Sequence, residues 1–172
     1  MDVPPPRSSA VLLLLFQRGG EDWLILTRRS HEVATHKGHI SLPGGVREDY
    51  DESLLHTALR ETREELGIPE DQIEVLGRLE DVFTVVSNFN ITPFVARLGY
   101  VPSYVTDDRE VAEVIEMPLS HLRTADLFWS EEMAGTEGHR EVYFFRYGEN
   151  VVWGATAKIL KQFLDASIPG TL

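Results

Sequence analysis

The stretch from Pro43 to Ile68 reads P-G-G-V-R-E-D-Y-D-E-S-L-L-H-T-A-L-R-E-T-R-E-E-L-G-I, and it decides how the rest of the chain is interpreted. Its second half predicts a helix over residues 53–66, since successive residues lie about 100° apart around a helix axis. One stripe of that helix is suited to packing: Leu55, Ala58, Leu59, Thr62 and Leu66. A separate arc carries Glu61, Glu64 and Glu65. The helix is therefore expected to pack with one face and to bind with the other.

The three carboxylates of that arc predict a metal site. Placed at i, i+3 and i+4, they repel one another by a few tenths of a kcal/mol per pair, and a hard cation removes this cost. Oxygen-only ligands suit Mg²⁺ or Mn²⁺, and Mg²⁺ shares its remaining positions with substrate phosphates. We therefore expect Glu61, Glu64 and Glu65 to hold Mg²⁺ (or Mn²⁺) and to act on a phosphate ester.

Two flanking residues complete the string R-E-x-x-E-E-x-G. Arg60 stands one turn before Glu64, within reach to neutralise or orient it. Gly67 is the glycine expected at a helix C-terminus. A glutamate-rich helix face alone is as typical of solvated surface as of a site, but the full string is not. At ~6% per specified residue, its chance occurrence in a chain of this length is on the order of 10⁻⁴.

These residues closely resemble the box that defines the Nudix hydrolases, G-x5-E-x7-R-E-U-x-E-E-x-G-U, in which U is aliphatic. The positions that match in register are Glu52, Arg60, Glu61, Glu64, Glu65, Gly67 and Ile68. Thr62 replaces an aliphatic residue, and the spacer from Gly45 to Glu52 is one residue longer than in the pattern. Neither departure touches an expected metal ligand. Thr62 lies on the packing stripe, and a longer spacer enlarges a surface loop at small entropic cost.

A second stretch, Leu26 to Gly45, narrows the resemblance. It reads L-T-R-R-S-H-E-V-A-T-H-K-G-H-I-S-L-P-G-G. It is similar to the extra signature of Nudix coenzyme A diphosphatases, L-T-x-R-S-x-x-L-x-x-H-x-G-x-V-x-F-P-G-G. The matching positions are Thr27, Arg29, Ser30, His36, Gly38, Pro43, Gly44 and Gly45, while Val33, Ile40 and Leu42 are conservative apolar departures. Residues 81–95 and 151–160 also resemble segments of that subgroup, so the resemblance covers most of the chain.

The resemblance implies a fold and a reaction. The fold is an α/β/α sandwich around a mixed β-sheet, which the order of predicted strands and helices also favours. The reaction is hydrolysis of the diphosphate linkage of coenzyme A or its thioesters, giving 3′,5′-ADP and (acyl-)4′-phosphopantetheine. In the wider family the general base is sometimes a glutamate outside the box, and Glu110 is the candidate here. An ordinary surface carboxylate is an equally good interpretation of Glu110, and which glutamate accepts the proton stays open.

Most candidate substrate contacts lie in the second stretch. They are Arg28, Arg29, Ser30, His36, Lys37, Gly44 and Gly45. The two glycines allow backbone to approach phosphate where a side chain would collide. The three cations can meet the diphosphate or the 3′-phosphate of coenzyme A, although solvated surface is as good an interpretation for each alone. The serine belongs to the motif, and the histidine is expected to shape the loop or to contact substrate.

Length and composition bound the remaining possibilities. With 172 residues, 42% of them apolar, the chain suits one compact domain over residues 10–172 after a loose proline-rich leader at residues 1–9. The absence of cysteine excludes a disulfide framework, a thiolate zinc site and a cysteine nucleophile, and is compatible with the cytoplasm. A net charge of -12 disfavours nonspecific nucleic-acid binding and anionic membranes. The small-molecule nucleotide partner is what the resemblance implies, and the metal and local arginines would have to draw it in.

Other functional classes have weaker support. The sequence lacks a G-x-S-x-G elbow, a G-x-x-x-x-G-K-[ST] phosphate loop and a G-x-G-x-x-G fingerprint. The nearest rival is a Nudix hydrolase acting on ADP-ribose, a dinucleotide or a nucleoside triphosphate, because residues far from the box choose the substrate. A non-catalytic Nudix-fold binding module is a rival of another class, which the intact glutamates disfavour. The number of metal ions and the oligomeric state, a homodimer included, stay open.

Hydrophobic periodicity predicts the other elements of the fold. Strands are expected over residues 10–17 and 23–27, around a turn at residues 18–21, and over residues 73–86, 91–98 and 141–147. Helices are expected over residues 118–123 and 154–166 in addition to the helix at residues 53–66. The segment between the second strand and Gly45 is expected to be a loop.

Overall fold

The computed structural model describes residues 3–33 and 37–166 of the chain. The strands in these ranges are β1 Arg7–Arg18, β2 Glu21–Arg29, β3 Ile40–Ser41, β4 Gly44–Val46, β5 Ile73–Arg78, β6 Val82–Thr84, β7 Phe89–Leu98, β8 Val111–Pro118, β9 Phe128–Gly135, β10 Gly138–Tyr147 and β11 Asn150–Trp153. The helices are α1 Leu54–Leu66, α2 Leu119–Leu122 and α3 Ala155–Ala166, with short 3₁₀ turns at Glu70–Gln72 and Ala125–Leu127. The predicted His36 lies outside the described residues.

The first eight strands form one mixed sheet in the order β3-β2-β1-β7-β5. Strand β4 also pairs with β1, β6 with β7, and β8 with β2. Strands β1 and β7 run parallel, whereas the other pairs are antiparallel. Strands β9, β10 and β11 form a second, antiparallel sheet in the order β11-β10-β9.

The apolar strand β1 lies at the centre of the large sheet. Residues 12–16 are buried, as a continuous apolar run predicts for a strand covered on both faces. Strand β1 begins at Arg7, three residues before the predicted start. It turns into β2 through Gly19 and Gly20, whose φ angles of 61° and 77° suit a tight hairpin that other residues adopt only with strain.

Helix α1 matches its predicted extent and covers one face of the large sheet. Ser53 caps its N-terminus by accepting a hydrogen bond from the backbone amide of His56. Gly67 ends it with φ of 71° and donates its amide to the carbonyl of Arg63 at 2.8 Å. Thr62 is fully buried and donates its hydroxyl to the carbonyl of Ala58 at 2.8 Å. A threonine therefore suits this packing position, because its one polar group is satisfied within the helix.

The opposite face of the large sheet is covered by α3, α2 and the three-stranded sheet. Their shared core includes Leu13, Leu24, Met117, Phe145, Leu160 and Phe163. The core under α1 includes Leu12, Leu14, Ile25, Ala58, Leu66 and Ala96. The predicted α/β sandwich around a mixed sheet is therefore confirmed, with a small sheet sharing one of the outer layers. No helix in the described ranges is both long and apolar enough to cross a membrane.

Several boundaries differ from the sequence-based expectation. The predicted strand at residues 73–86 is divided into β5 and β6 at a break opposite Pro93, whose missing N–H cannot join the ladder. The predicted loop before Gly45 contains the short strands β3 and β4. Strands β9 and β11 were not expected, and β8 had no predicted bounds. Most of β9 is exposed, so its sequence lacks the alternation that marks a half-buried strand.

Candidate active site

Helix α1 presses two of its glutamates against the short strand β4. A Cβ atom added at Gly45 would lie 2.5 Å from Cδ of Glu61, closer than real contacts allow. At Gly44 it would lie 2.3 Å from the carbonyl oxygen of Ala10 in β1. The space beside both glycines is thus filled by the protein itself. They are required for the close packing of β4, a different reason from the predicted approach of backbone to phosphate.

Arg60 lies at the centre of a buried network of acidic groups. Its Nε and Nη2 atoms donate to the two carboxylate oxygens of Asp51 at 2.8 and 2.9 Å. Its Nη1 atom contacts Glu61 at 3.0 Å and Glu64 at 3.2 Å, the second being the pair that the i, i+4 spacing predicts. Arg60 therefore fixes two of the three box glutamates while it is itself held by Asp51.

Asp51 is the site residue that the sequence analysis missed. Its side chain is fully buried and also accepts the hydroxyl of Thr57 at 2.8 Å and the amide of Glu48 at 2.9 Å. Hydrogen bonds from Arg60 hold the pKa of Asp51 well below its usual range, against the effect of burial. Glu52, which was aligned with the box glutamate, is exposed. The signal was available, because five residues separate Gly45 from Asp51, as the box requires.

The carboxylate arc is only partly solvated, since Glu64 is exposed whereas Glu65 is buried. Glu65 is only 8% exposed and Arg60 only 5%. Burial and the neighbouring charges of Glu61 and Glu110 raise the pKa of Glu65, whereas Arg29 and a hydrogen bond from the Gly44 amide lower it. Burial also raises the pKa of Glu61, with Arg60 opposing and the acidic Glu64 and Glu110 adding to the effect.

The residues that shift these pKa values come from three separate parts of the sequence: the end of β2, helix α1 and the segment before β8. The negative charge of Glu110 raises the pKa of both Glu61 and Glu65, and the positive charge of Arg29 lowers the pKa of Glu65. The end of β2 is joined to this region because the Ser30 amide donates to the Glu110 carbonyl at 2.9 Å. Glu110 is exposed, so a carboxylate reachable from solvent stands beside buried ones. The site is a group of carboxylates with Arg60 among them and Arg29 at its border.

The donors of this group fit a hard divalent cation. The Oε2 atom of Glu65 is buried and has no hydrogen-bond partner in the described structure, a costly arrangement that a cation would relieve. Across residues 3–33 and 37–166, no three acidic or histidine side chains are gathered tightly enough to enclose a metal ion by themselves. The carboxylate oxygen of Glu65 is a ligand type that Mg²⁺ accepts, and Mg²⁺ keeps several waters and takes only one or two carboxylates from a protein.

Arg28, a predicted substrate contact, is held by contacts within the protein. Its Nε atom pairs with Glu113 at 3.2 Å, and Nη1 donates to the carbonyl of Gly38 at 3.3 Å. Its Nη2 atom donates to the side chain of Asn150, the first residue of β11. All three guanidinium nitrogens thus have protein partners. Arg28 joins the two sheets to the loop before β3, so its contacts do not favour a role in binding substrate.

The remaining predicted contacts differ in how they are placed. Among the predicted substrate-binding cations, Arg29 is the one whose charge lowers the pKa of Glu65. Ser30 is buried and its hydroxyl accepts the amide of Glu32 at 3.1 Å, so it shapes the chain as it leaves β2. Lys37 is exposed. Of the three predicted cations, the structure brings Arg29 to the glutamates and uses Arg28 elsewhere.

Comparison with known proteins identifies the family. A model described as NUDIX domain matches residues 6–143. The chain belongs to the Nudix hydrolases. It is 34% identical to the uncharacterized Nudix hydrolase NudL of Photorhabdus laumondii subsp. laumondii, over 94% of this chain and 90% of that protein. It is 39% identical to the protein of the same name from Yersinia enterocolitica, over 90% of this chain and 78% of that one.

A solved structure shows the same fold. The MutT/nudix family protein from Enterococcus faecalis matches with a TM-score of 0.67 at 18% identity, covering 96% of this chain and 64% of that chain. Family membership makes the chain a hydrolase and supports a nucleoside diphosphate derivative as the class of substrate. Nudix hydrolases generally need a divalent metal ion, commonly Mg²⁺. That requirement agrees with the unpartnered oxygen of Glu65.

Proposed function

We propose that this Nudix hydrolase cleaves the diphosphate linkage of coenzyme A or its thioesters, with Mg²⁺ or Mn²⁺, to 3′,5′-ADP and (acyl-)4′-phosphopantetheine. The observation that carries the proposal is the neighbourhood of Arg29 and the buried Glu65 beside Gly44. Arg29 and Gly44 belong to the L-T-x-R-S…P-G-G signature, and Glu65 belongs to the Nudix box. The subgroup signature and the box thus contribute residues to the same neighbourhood, which supports a small-molecule nucleotide as the substrate. The proposed location of the enzyme is the cytoplasm.

The cation would be held by Glu65 and Glu61, with Glu64 at the more exposed end of the arc. When bound, it neutralises phosphate charge and lowers the pKa of water. Arg60 contributes by holding Glu61 and Glu64 in place, at 3.0 and 3.2 Å. Arg29 offers a guanidinium to a diphosphate oxygen, for which its planar donors are suited.

A carboxylate of this site accepts the proton of the attacking water. A general base works best when its pKa is near the working pH, and burial moves the pKa of Glu65 in that direction. Glu110 is the other candidate, because it is exposed and yet acts on Glu61 and Glu65. Replacing each by glutamine separates the two roles. Loss of the base lowers kcat and removes the acidic limb of its pH profile, whereas loss of a cation ligand is partly rescued by more Mg²⁺.

The substrate assignment is tested by product identification. Purified protein with Mg²⁺ is given coenzyme A, an acyl-coenzyme A, ADP-ribose and a dinucleotide, and the products are separated and weighed by mass spectrometry. We expect 3′,5′-ADP from coenzyme A and a lower kcat/KM for ADP-ribose. A higher kcat/KM for ADP-ribose or the dinucleotide would reject the coenzyme A assignment and leave the hydrolase. Absence of turnover on every compound would favour a binding module.

A further inference from the structure

The three-stranded sheet has a row of aromatic side chains on its outer face. Phe144 is the register partner of Trp153 in β11 and of Trp129 in β9, so the three side chains lie side by side across the strands. The rings of Trp129 and Phe144 are stacked, with centroids 5.3 Å apart and planes 7° apart. We call Trp153, Phe144 and Trp129 the aromatic row. Since the next residues along these strands, such as Phe145 and Val152, fill the core, the row is on the opposite face.

The aromatic row is exposed at Trp153 and half-buried at Phe144 and Trp129, and an arginine lies beside it. Trp153 is 48% exposed. The guanidinium of Arg146 lies 5.6 Å from the ring centre of Trp129. Arg146 and Arg140 are exposed on this face and form no ion pair within the described part of the chain. Glu131 also lies on this face, where it accepts a hydrogen bond from Nε1 of Trp129 at 3.1 Å. In a protein of net charge -12, Arg146, which has no ion pair among the described residues and lies beside the row, favours an anionic aromatic ligand.

A shallow cavity continues the row at its far end. It has a volume of about 350 Å³ and is lined by Asp126, Leu127, Trp129 and Arg146. That volume is within the range of ~300–1,000 Å³ found for ligand sites. The lining combines an aromatic face, a cation and one carboxylate that can accept a hydrogen bond from a hydroxyl or an exocyclic amine. Such a mixture suits a nucleotide better than a hydrocarbon chain, which would leave the charged groups without partners.

The other end of the row reaches the candidate active site. The ring of Trp153 lies 5.3 Å from that of His39, edge to face. The carbonyl of His39 accepts the amide of Arg29 at 2.8 Å. Arg29 in turn acts on Glu65. The Trp153 end of the row is thus linked to Glu65 through His39 and Arg29, so a nucleotide stacked on Trp153 can carry its diphosphate toward the carboxylates.

We propose that the aromatic row binds the purine nucleotide end of the substrate. The base stacks on the exposed face of Trp153, and Arg146 supplies positive charge for a phosphate group of the same nucleotide. The proposal rests on the proposed function in that the nucleotide is 3′,5′-ADP, the half of coenzyme A that carries a purine and a 3′-phosphate. Trp153 then contributes to substrate affinity, although it lies outside both the Nudix box and the L-T-x-R-S…P-G-G signature.

Binding of 3′,5′-ADP to the Mg²⁺-loaded protein by titration calorimetry tests the proposal. Removing a stacking ring costs ~1–3 kcal/mol per base, so Trp153→Ala should raise Kd by roughly 5- to 150-fold. Trp153→Phe should recover most of that affinity, and Arg146→Ala should weaken 3′,5′-ADP more than adenosine. Phe83→Ala, which removes a ring 51% exposed on β6, is the matched control and should keep the parent Kd. Inorganic pyrophosphate should bind all of these variants equally.

Several outcomes would overturn the proposal. Equal Kd values for Trp153→Ala and Phe83→Ala would show that the row does not contact the nucleotide. A KM increase in Trp153→Ala that grows with acyl-chain length would assign the row to the acyl group. Conversion of a dimer to a monomer by Trp153→Ala, seen by light scattering without a change in Kd, would assign it to a second copy. If coenzyme A is not cleaved but 3′,5′-ADP binding depends on Trp153, the proposed substrate fails while the nucleotide surface stands.

Discussion

Replacement of Asp51 by asparagine is expected to destabilise the protein more than any replacement at the neighbouring Glu52. Asp51 is fully buried and gives both oxygens to Arg60, at 2.8 and 2.9 Å. Breaking a buried ion pair by removing one partner typically costs ~3–5 kcal/mol, because it leaves an uncompensated buried charge. Arg60 keeps its contacts with Glu61 and Glu64, so the lower end of that range is expected here.

The expected loss is large enough to measure directly. In a domain of this size, each kcal/mol shifts Tm by roughly 2–4 °C, so Asp51→Asn should lower Tm by roughly 6–12 °C. Glu52→Gln changes an exposed side chain and should stay within about 0.5 kcal/mol of the parent. Urea unfolding followed by circular dichroism gives both free energies. In an Arg60→Met background, Asp51→Asn should cost much less, because the charge that it leaves unpaired is absent.

The difference in unfolding free energy between the parent and Asp51→Asn should depend on pH with a defined sign. The pKa of Asp51 is depressed in the folded state, mainly by the hydrogen bonds from Arg60. Its contribution to stability is therefore complete above the unfolded pKa of ~3.9 and is lost as the pH falls below that value. The gap between parent and Asp51→Asn should narrow between pH 5 and pH 3 (about the lower limit of reliable unfolding measurements). Equal destabilisation by Glu52→Gln would refute the assignment of Asp51 as the partner of Arg60. A free-energy difference between parent and Asp51→Asn that does not change with pH would refute it as well.

Three further predictions concern the glutamates. Glu61→Gln and Glu65→Gln should each lower kcat at least ~10²-fold, while Arg63→Ala, which loses an exposed pair with Glu70, should change it little; similar losses for Arg63 and Glu65 would misplace the active face. Gly45→Ala should displace Glu61 and lower kcat with normal expression, as steady-state kinetics can show; unchanged kcat would mean that the 2.5 Å contact is easily relieved. Mg²⁺ at ten times its Kd should stabilise the protein by ~1.4 kcal/mol beyond NaCl of matched ionic strength, and Glu65→Gln should shrink that increment in thermal unfolding; equal shifts with both salts would argue against a metal site.

Local features of the sequence predicted the elements that local interactions decide. Helix α1 has a capping serine, a terminal glycine and a periodic apolar stripe, and its extent agrees with these signals. The strand β1 is a continuous apolar run. By contrast, β9 is mostly exposed and has no marked alternation, since its stability comes from pairing with β10. Periodicity cannot report such a strand.

The site was predictable where spacing within one helix decides it. The contact of Arg60 with Glu64 follows from four residues of separation. The contact of Arg28 with Asn150 joins residues 122 positions apart, and nothing near either residue indicates it. Burial of Glu65 was also missed, because a helical wheel shows which residues share a face but not what covers it. The strand β4, only three residues long, provides that cover.

The parallel pairing of β1 with β7 has a consequence for how the chain is made in the cell. Strand β1 ends at Arg18, whereas its partner ends at Leu98. At ~5–20 residues per second, a ribosome needs roughly 4–16 s to add the chain between them. During that interval the hairpin partner β2 can pair with one edge of β1, but the most apolar segment of the protein has no neighbour along its other edge. Nascent chains that end before β7 thus expose an unpaired edge of an apolar strand, which favours association with other chains.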